Sequence, residues 1–135
     1  MRVVIADDHR LVLDGIKRAL EADGDFEIVG ETQSGTQVLP LVGRAKPDLV
    51  LLDVRMPHMD GLACLDEIKR RDAEAVVIVL TAHADIDSAV RALKEGAFDF
   101  LRKPVAREAL LGAVARAANF RALYFAVARQ REALH

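Results

Sequence analysis

Unbroken apolar runs alternate along the chain with stretches whose apolar positions recur every three or four residues. Val3-Val4-Ile5-Ala6 is the first run and ends at Asp7-Asp8. Residues 10–22 follow, with Leu11, Ile16, Ala19 and Leu20 on one helical stripe. Phe26-Glu27-Ile28-Val29-Gly30 reads as a second strand and residues 35–45 as a second helix, which Pro40 should end or kink. Asp48 to Asp53 is a third strand, apolar almost to its last residue. Met56-Pro57 and Asp60-Gly61 punctuate the loop after it, and Leu62 to Arg71 reads as a third helix. Val76 to Leu80 is a fourth apolar run and ends at Thr81. Residues 85–95 form a helix stopped by Gly96, and Phe98 to Leu101 is a fifth strand, closing near Lys103-Pro104.

Strands that are apolar throughout, rather than alternating, are buried on both faces. Five of them separated by helices predict a doubly wound α/β sheet. Ligands of such sheets sit beyond the carboxyl ends of the strands, near the switch in strand order. The conspicuous polar residues fall there: Asp7 and Asp8 after strand 1, Asp53 ending strand 3, Thr81 ending strand 4, Lys103 after strand 5. Taken singly, each has an ordinary reading as a turn, cap or surface residue. Together they put five groups at one edge of one sheet.

Three carboxylates in one crevice repel each other, and a hard divalent cation such as Mg²⁺ relieves that conflict. One carboxylate could then act as a nucleophile and form an aspartyl phosphate. The Thr81 hydroxyl and the Lys103 ammonium both suit phosphoryl oxygens.

Length and composition narrow the classes further. A chain of 135 residues fits one domain, and 52% hydrophobic with 30% charged residues excludes a disordered chain. The single cysteine, Cys64, excludes an internal disulfide or a zinc site built from cysteines, and reads as a small core residue. No apolar run reaches membrane-span length, and the first residues lack a signal-peptide core, which suits a soluble intracellular protein. No glycine-rich phosphate loop is present. Phosphatases of the dehalogenase type also use a nucleophilic Asp but place a second Asp two residues on, where Arg55 stands here. His9, after the acid pair, could be a ligand but reads more readily as a surface residue at a helix start.

The motifs together resemble the receiver domain of bacterial two-component response regulators. The matching residues are Asp7-Asp8, Asp53 in Leu-Leu-Asp-Val-Arg-Met-Pro, Asp60-Gly61, Thr81-Ala82, Phe100 and Lys103-Pro104, over roughly residues 1–120. The resemblance implies a five-stranded parallel sheet in the order 2-1-3-4-5 with five helices. It implies a phosphorylation-dependent switch rather than a free-standing enzyme, located in the cytoplasm. Asp53 matches the phosphoacceptor. Asp8 and Asp53 match direct Mg²⁺ ligands, Asp7 a largely water-mediated one, and Arg55 a position that lends its backbone carbonyl. Lys103 would pair with Asp53 and then with the phosphoryl oxygens. Thr81 would move toward that group and Phe100 would turn inward behind it, altering the surface of helix 4, strand 5 and helix 5. Arg55 and His83 match the variable positions that influence reset speed. The implied partner is a sensor histidine kinase or a phosphotransfer protein. Two positions depart from the pattern: Val105 stands where Phe is common, and Phe100 lacks the hydroxyl of a tyrosine. Ala-Asp-Asp-His resembles receivers that precede helix-turn-helix domains, whereas Gly-Ala-Phe-Asp-Phe-Leu-Arg-Lys-Pro resembles other subfamilies, so the subfamily stays open.

The charge distribution marks out the tail. Residues 1–101 carry 12 basic and 19 acidic side chains, and residues 102–135 carry seven and two, so a net −2 conceals an acidic body and a basic tail. Ala106 to Leu134 has no Pro and one Gly, and is rich in helix-forming Ala, Leu and Arg. The last helix is therefore expected to be extended, with 1–120 as the receiver and 121–135 as a helical linker toward an output domain. Ala113, Phe120, Val127 and Leu134 recur every seven residues, which suits a homodimer through this helix or through the helix 4, strand 5 and helix 5 face. Arg116, Arg121, Arg129 and Arg131 lack the pattern of a DNA reader, so the chain itself is not expected to bind nucleic acid or membrane. The alternatives are a stand-alone single-domain relay receiver and a non-phosphorylated pseudo-receiver acting as a dimerisation module.

Overall fold

The apolar runs form one parallel sheet in a computed structural model that describes residues 1–133. Its strands are β1 (Arg2–Ala6), β2 (Glu27–Thr32), β3 (Leu49–Asp53), β4 (Val76–Thr81) and β5 (Asp99–Arg102), in the spatial order β2-β1-β3-β4-β5. The order implied by the resemblance is therefore the observed one. Its register aligns Ala6 with Leu52, Asp53 with Leu80 and Thr81 with Arg102, so the carboxyl ends of the central strands finish nearly level.

Alternate residues of each strand serve opposite faces. Val4, Val50, Leu52, Val77 and Val79 pack with α2 (Val38–Ala45), α3 (Gly61–Arg71) and α4 (Ile86–Lys94). Val3, Ile5, Leu51, Ile78 and Leu80 pack with α1 (Arg10–Glu21) and α5 (Arg107–Ala133). Both faces are covered, which is why the central strands carry no polar residue until their ends.

Pro40 does not kink its helix. The segment opens with a short 3₁₀ turn, Gly35–Gln37, and α2 proper starts at Val38. Pro40 thus sits in the first turn, where backbone N–H groups have no partner within the helix, so its missing N–H costs nothing. Strand β2 begins one residue later than expected and runs on to Thr32. Gly96 does follow α4 with φ +114°, the left-handed stop expected of it.

One glycine positions the site directly. A Cβ on Gly61 would meet the Val54 carbonyl oxygen and come within 2.8 Å of the Val54 Cα. Helix α3 therefore starts pressed against the residue after Asp53, with Asp60 capping it through bonds accepted from the N–H groups of Leu62 (3.0 Å) and Ala63 (3.2 Å). Gly61→Ala is expected to cost about 1–3 kcal/mol, read from the urea-unfolding midpoint, because backbone has to give way.

Helix α5 runs unbroken for 27 residues, about 40 Å. Leu110, Ala113, Val114 and Ala117 are buried on the sheet. The same side then continues to Arg121, which bonds the Glu74 carbonyl (3.1 Å), pairs with Asp48 (3.1 Å) and lies over the ring of Phe125 (5.1 Å). The helix is thus fastened to the body beyond residue 120. Phe120 stacks beside Phe98 and Tyr124, while Leu123, Tyr124 and Val127 are exposed. The seven-residue series does not mark a single outward stripe, because Ala113 faces the core. Leu134 lies outside the described residues, as does the side chain of Arg129.

Candidate functional site

Four of the five strands, all but β2, deliver a group to a crevice at the carboxyl edge. Asp7 leaves β1 fully buried, Asp53 ends β3 at 3% exposure and Thr81 ends β4 fully buried. Lys103 leaves β5, its N–H bonded to the Thr81 carbonyl at 2.8 Å. Its ammonium spans the crevice to reach Asp7 Oδ2 at 2.7 Å and Asp53 Oδ2 at 2.9 Å. Asp8 and His9 form the rim above β1. Asp8 Oδ1 is buried without a hydrogen bond, and His9 Nδ1 stands 3.2 Å from it. The structure therefore gathers the Asp7-Asp8 pair, Asp53 and Lys103, drawn from three distant parts of the sequence, into one cluster.

Burial sets the electrostatics. It pushes the Asp53 carboxyl up from its ordinary value of 3.8 to about 6, with Asp7 adding repulsion. The Arg55 N–H, bonded to Asp53 Oδ1 at 3.0 Å, and the Lys103 ammonium pull the other way. Burial also opposes charge on Lys103, but its bonds to Asp7 and Asp53 outweigh that and raise its pKa. It stays an ammonium. Three carboxylates with one ammonium still leave a net −2 in the crevice. The donor atoms are hard oxygens, one of them with no proton donor, which fits a small divalent cation. Asp7, Asp8 and Asp53 are placed to hold it. The Arg55 N–H donates to Asp53 Oδ1, so the Arg55 backbone lies at the same crevice.

Thr81 and Phe100 sit where the sequence puts them. The Thr81 hydroxyl donates toward the carbonyls of Ala82 and Asp85, both at 3.1 Å, and so is engaged by the following loop. Phe100 is half-buried on β5 against the core. Arg55 also ties the two loops together, its Nε 2.6 Å from the Asp85 carboxylate. His83 is exposed. Cys64 is buried on α3, and burial lifts its thiol to about 11, leaving it unreactive.

His9 is an exposed residue at the start of α1, as expected, and its ring also borders the carboxylate cluster. One residue at the site was not foreseen. Asp85 joins Arg55 across two loops, and no local pattern marks a contact of that kind.

Comparison with known proteins agrees with this geometry. The family model for the response regulator receiver domain matches residues 3–115. Chemotaxis protein CheY of Listeria monocytogenes is 37% identical over 119 residues, 88% of this chain and 99% of that protein. An uncharacterized transcriptional regulatory protein of Bacillus subtilis, YhcZ, is 36% identical over 111 residues, 82% of this chain but 52% of that protein. The chain thus spans about half the length of such regulators. A response regulator receiver domain protein from Clostridium thermocellum superposes with a TM-score of 0.84 at 38% identity, covering 91% of this chain and 98% of that one. No helix among the described residues is long and apolar enough to cross a membrane.

Proposed function

The chain belongs to the response regulator receiver family, a signalling rather than a metabolic class, and from that premise we propose that Asp53 is its phosphoacceptor and residues 1–120 its switch domain. The observation that carries this reading is the buried Asp53 carboxylate, held between the Arg55 N–H and the Lys103 ammonium at the open edge of the sheet. One Asp53 oxygen attacks the phosphorus of a phosphohistidine on a sensor kinase or phosphotransfer protein. The O–P bond forms as the N–P bond breaks, and the imidazole leaves with the electron pair. Mg²⁺, held by Asp7, Asp8, Asp53 and the Arg55 carbonyl, supplies charge neutralisation for the phosphoryl oxygens.

This chain's own residues do the rest. Lys103 already sits on the Asp53 oxygen and can follow the phosphoryl group without crossing the crevice. Thr81 exchanges its carbonyl acceptors for a phosphoryl oxygen, which draws in the loop that Asp85 belongs to. That movement opens space behind Thr81 for Phe100, and the altered surface is that of α4, β5 and α5. Phe100 has no hydroxyl, so packing alone decides its position.

For residues 121–135 we propose a helical connection toward a regulatory output, such as a transcriptional one, with a second copy of the chain covering Phe120, Leu123, Tyr124 and Val127. Their helical spacing on one exposed face supports this reading. Leu123→Ser with Tyr124→Ser should then yield monomers in sedimentation over concentrations where the parent self-associates; a parent monomeric with and without phosphorylation would refute it.

The phosphoacceptor reading is tested by incubating the chain with acetyl phosphate and Mg²⁺. A hydroxylamine-labile phosphoryl group is expected by intact mass, and chelation of the metal should prevent its appearance. A chain that gains no such group under these conditions, and binds no beryllofluoride, is not a phosphorylated switch.

A further inference from the structure

The His9 imidazole borders the carboxylate crevice. Its Nδ1 lies 3.1 Å from Asp7 Oδ1, 3.2 Å from Asp8 Oδ1 and 3.3 Å from Lys103 Nζ. With Lys103 displaced, one divalent cation placed among these atoms would have Nδ1 and the carboxylate oxygens within reach together. The ligand atoms of Asp7, Asp8, His9 and Asp53 all lie within 4.8 Å of one another, compact enough for one ion.

We propose that His9 Nδ1 is a nitrogen ligand of this cation site and biases it toward Zn²⁺, Co²⁺ or Ni²⁺ relative to Mg²⁺. The inference rests on reading the carboxylate crevice as a divalent cation site. Mg²⁺ takes oxygen donors, whereas imidazole suits the later first-row metals, whose affinities for N/O sites follow the Irving–Williams order. The backbone helps. The His9 N–H bonds Asp7 Oδ1 at 2.8 Å, fixing the residue as the cap of α1 with its ring beside the carboxylates. The ring is 63% exposed, so it can turn onto an ion without unpacking the core. Lys103, which reaches the same oxygens, is the group that has to move aside.

Titration calorimetry on the full chain distinguishes the outcomes, with Zn²⁺ and Mg²⁺ as probes and wild type, His9→Ala and Asp8→Asn as proteins. Losing a partner of a metal ligand typically costs about 10–100-fold in affinity, and losing a ligand itself should cost no less. His9→Ala is therefore expected to weaken Zn²⁺ at least tenfold and to leave Mg²⁺ within about twofold. Zn²⁺ should also shift the His9 Nδ1 signal in ¹⁵N spectra, a change that a merely structural histidine would not give. The proposal is overturned by equal losses for both metals, by no loss for Zn²⁺, or by Asp8→Asn leaving Zn²⁺ binding intact, since the metal would then be held elsewhere, as at exposed His58 or His83. Wild type that binds no Mg²⁺ would instead remove the cation site on which the inference stands.

Discussion

Asp53→Asn is expected to lose phosphoryl uptake by at least about a thousandfold, since an amide offers no nucleophilic oxygen, and yet to fold more stably than the parent. The two effects have one cause. The Asp53 carboxyl is pushed up to about 6 from 3.8, chiefly by burial, so its ionised form opposes folding. A folded value above the unfolded one means that stability falls as pH rises between about 4 and 6 and stays low above that. The shift corresponds to about 3 kcal/mol at pH 7.5 without metal, and the amide forfeits part of the gain by losing the ionic bond to Lys103. A net gain of about 1–2 kcal/mol is expected for Asp53→Asn in urea unfolding with a chelator present. The difference should close below pH 4. A variant less stable than its parent at pH 7.5 would show that Asp53 serves the fold, contrary to this account. Uptake by wild type should decline as pH falls through 6 when metal is limiting, since the protonated acid cannot attack.

Lys103→Ala should produce a large loss of stability. Its ammonium is the counterion for Asp7, fully buried, and for Asp53, nearly so. Removing one partner of a buried ion pair costs about 3–5 kcal/mol, because the remaining charge stays desolvated. Here two carboxylates would be left facing each other. Mg²⁺ can replace the missing charge, so added metal is expected to restore much of the lost stability. Urea unfolding with and without Mg²⁺ checks this. A drop below about 1 kcal/mol in the absence of metal would be the size of a surface pair and would mean that the crevice is wet.

The fold was readable because both faces of the sheet are covered. Val50, Leu51 and Leu52 are apolar in succession, and Val76 to Leu80 likewise, so the strands and their ends stand out even from a single sequence. Those ends then located Asp7, Asp53, Thr81 and Lys103 together, because a parallel sheet brings all its carboxyl termini to one edge. What stayed hidden depends on where helices start and how they lie. Pro40 could be placed harmlessly only once α2 was known to begin at Val38. His9 is the exposed cap of α1 that its position suggested, but the reach of its ring to the carboxylates depends on the turn from β1 into α1, which leaves no periodic mark. Ala113 and Phe120 share a seven-residue spacing but differ in exposure, since the first lies over the sheet and the second at its margin. Arg121 stood out in the sequence only as an arginine of the basic tail and is a fastener of α5, a role that needs Asp48 and Glu74 from distant loops.

On the mechanism proposed above, the engagement of Thr81 would set how quiet the unstimulated protein is. What restrains it is a hydroxyl shared between two carbonyls and one ion pair, Arg55 with Asp85, whose arginine is 73% exposed. Such contacts together amount to about 1–2 kcal/mol. A gap of that size would leave about 3–15% of molecules in the other arrangement without a signal, a noise floor held by one loop. Arg55→Ala should raise it, visible as partial Phe100 repositioning in unphosphorylated protein. Signal strength would then be a matter of contrast against this background rather than of simple presence.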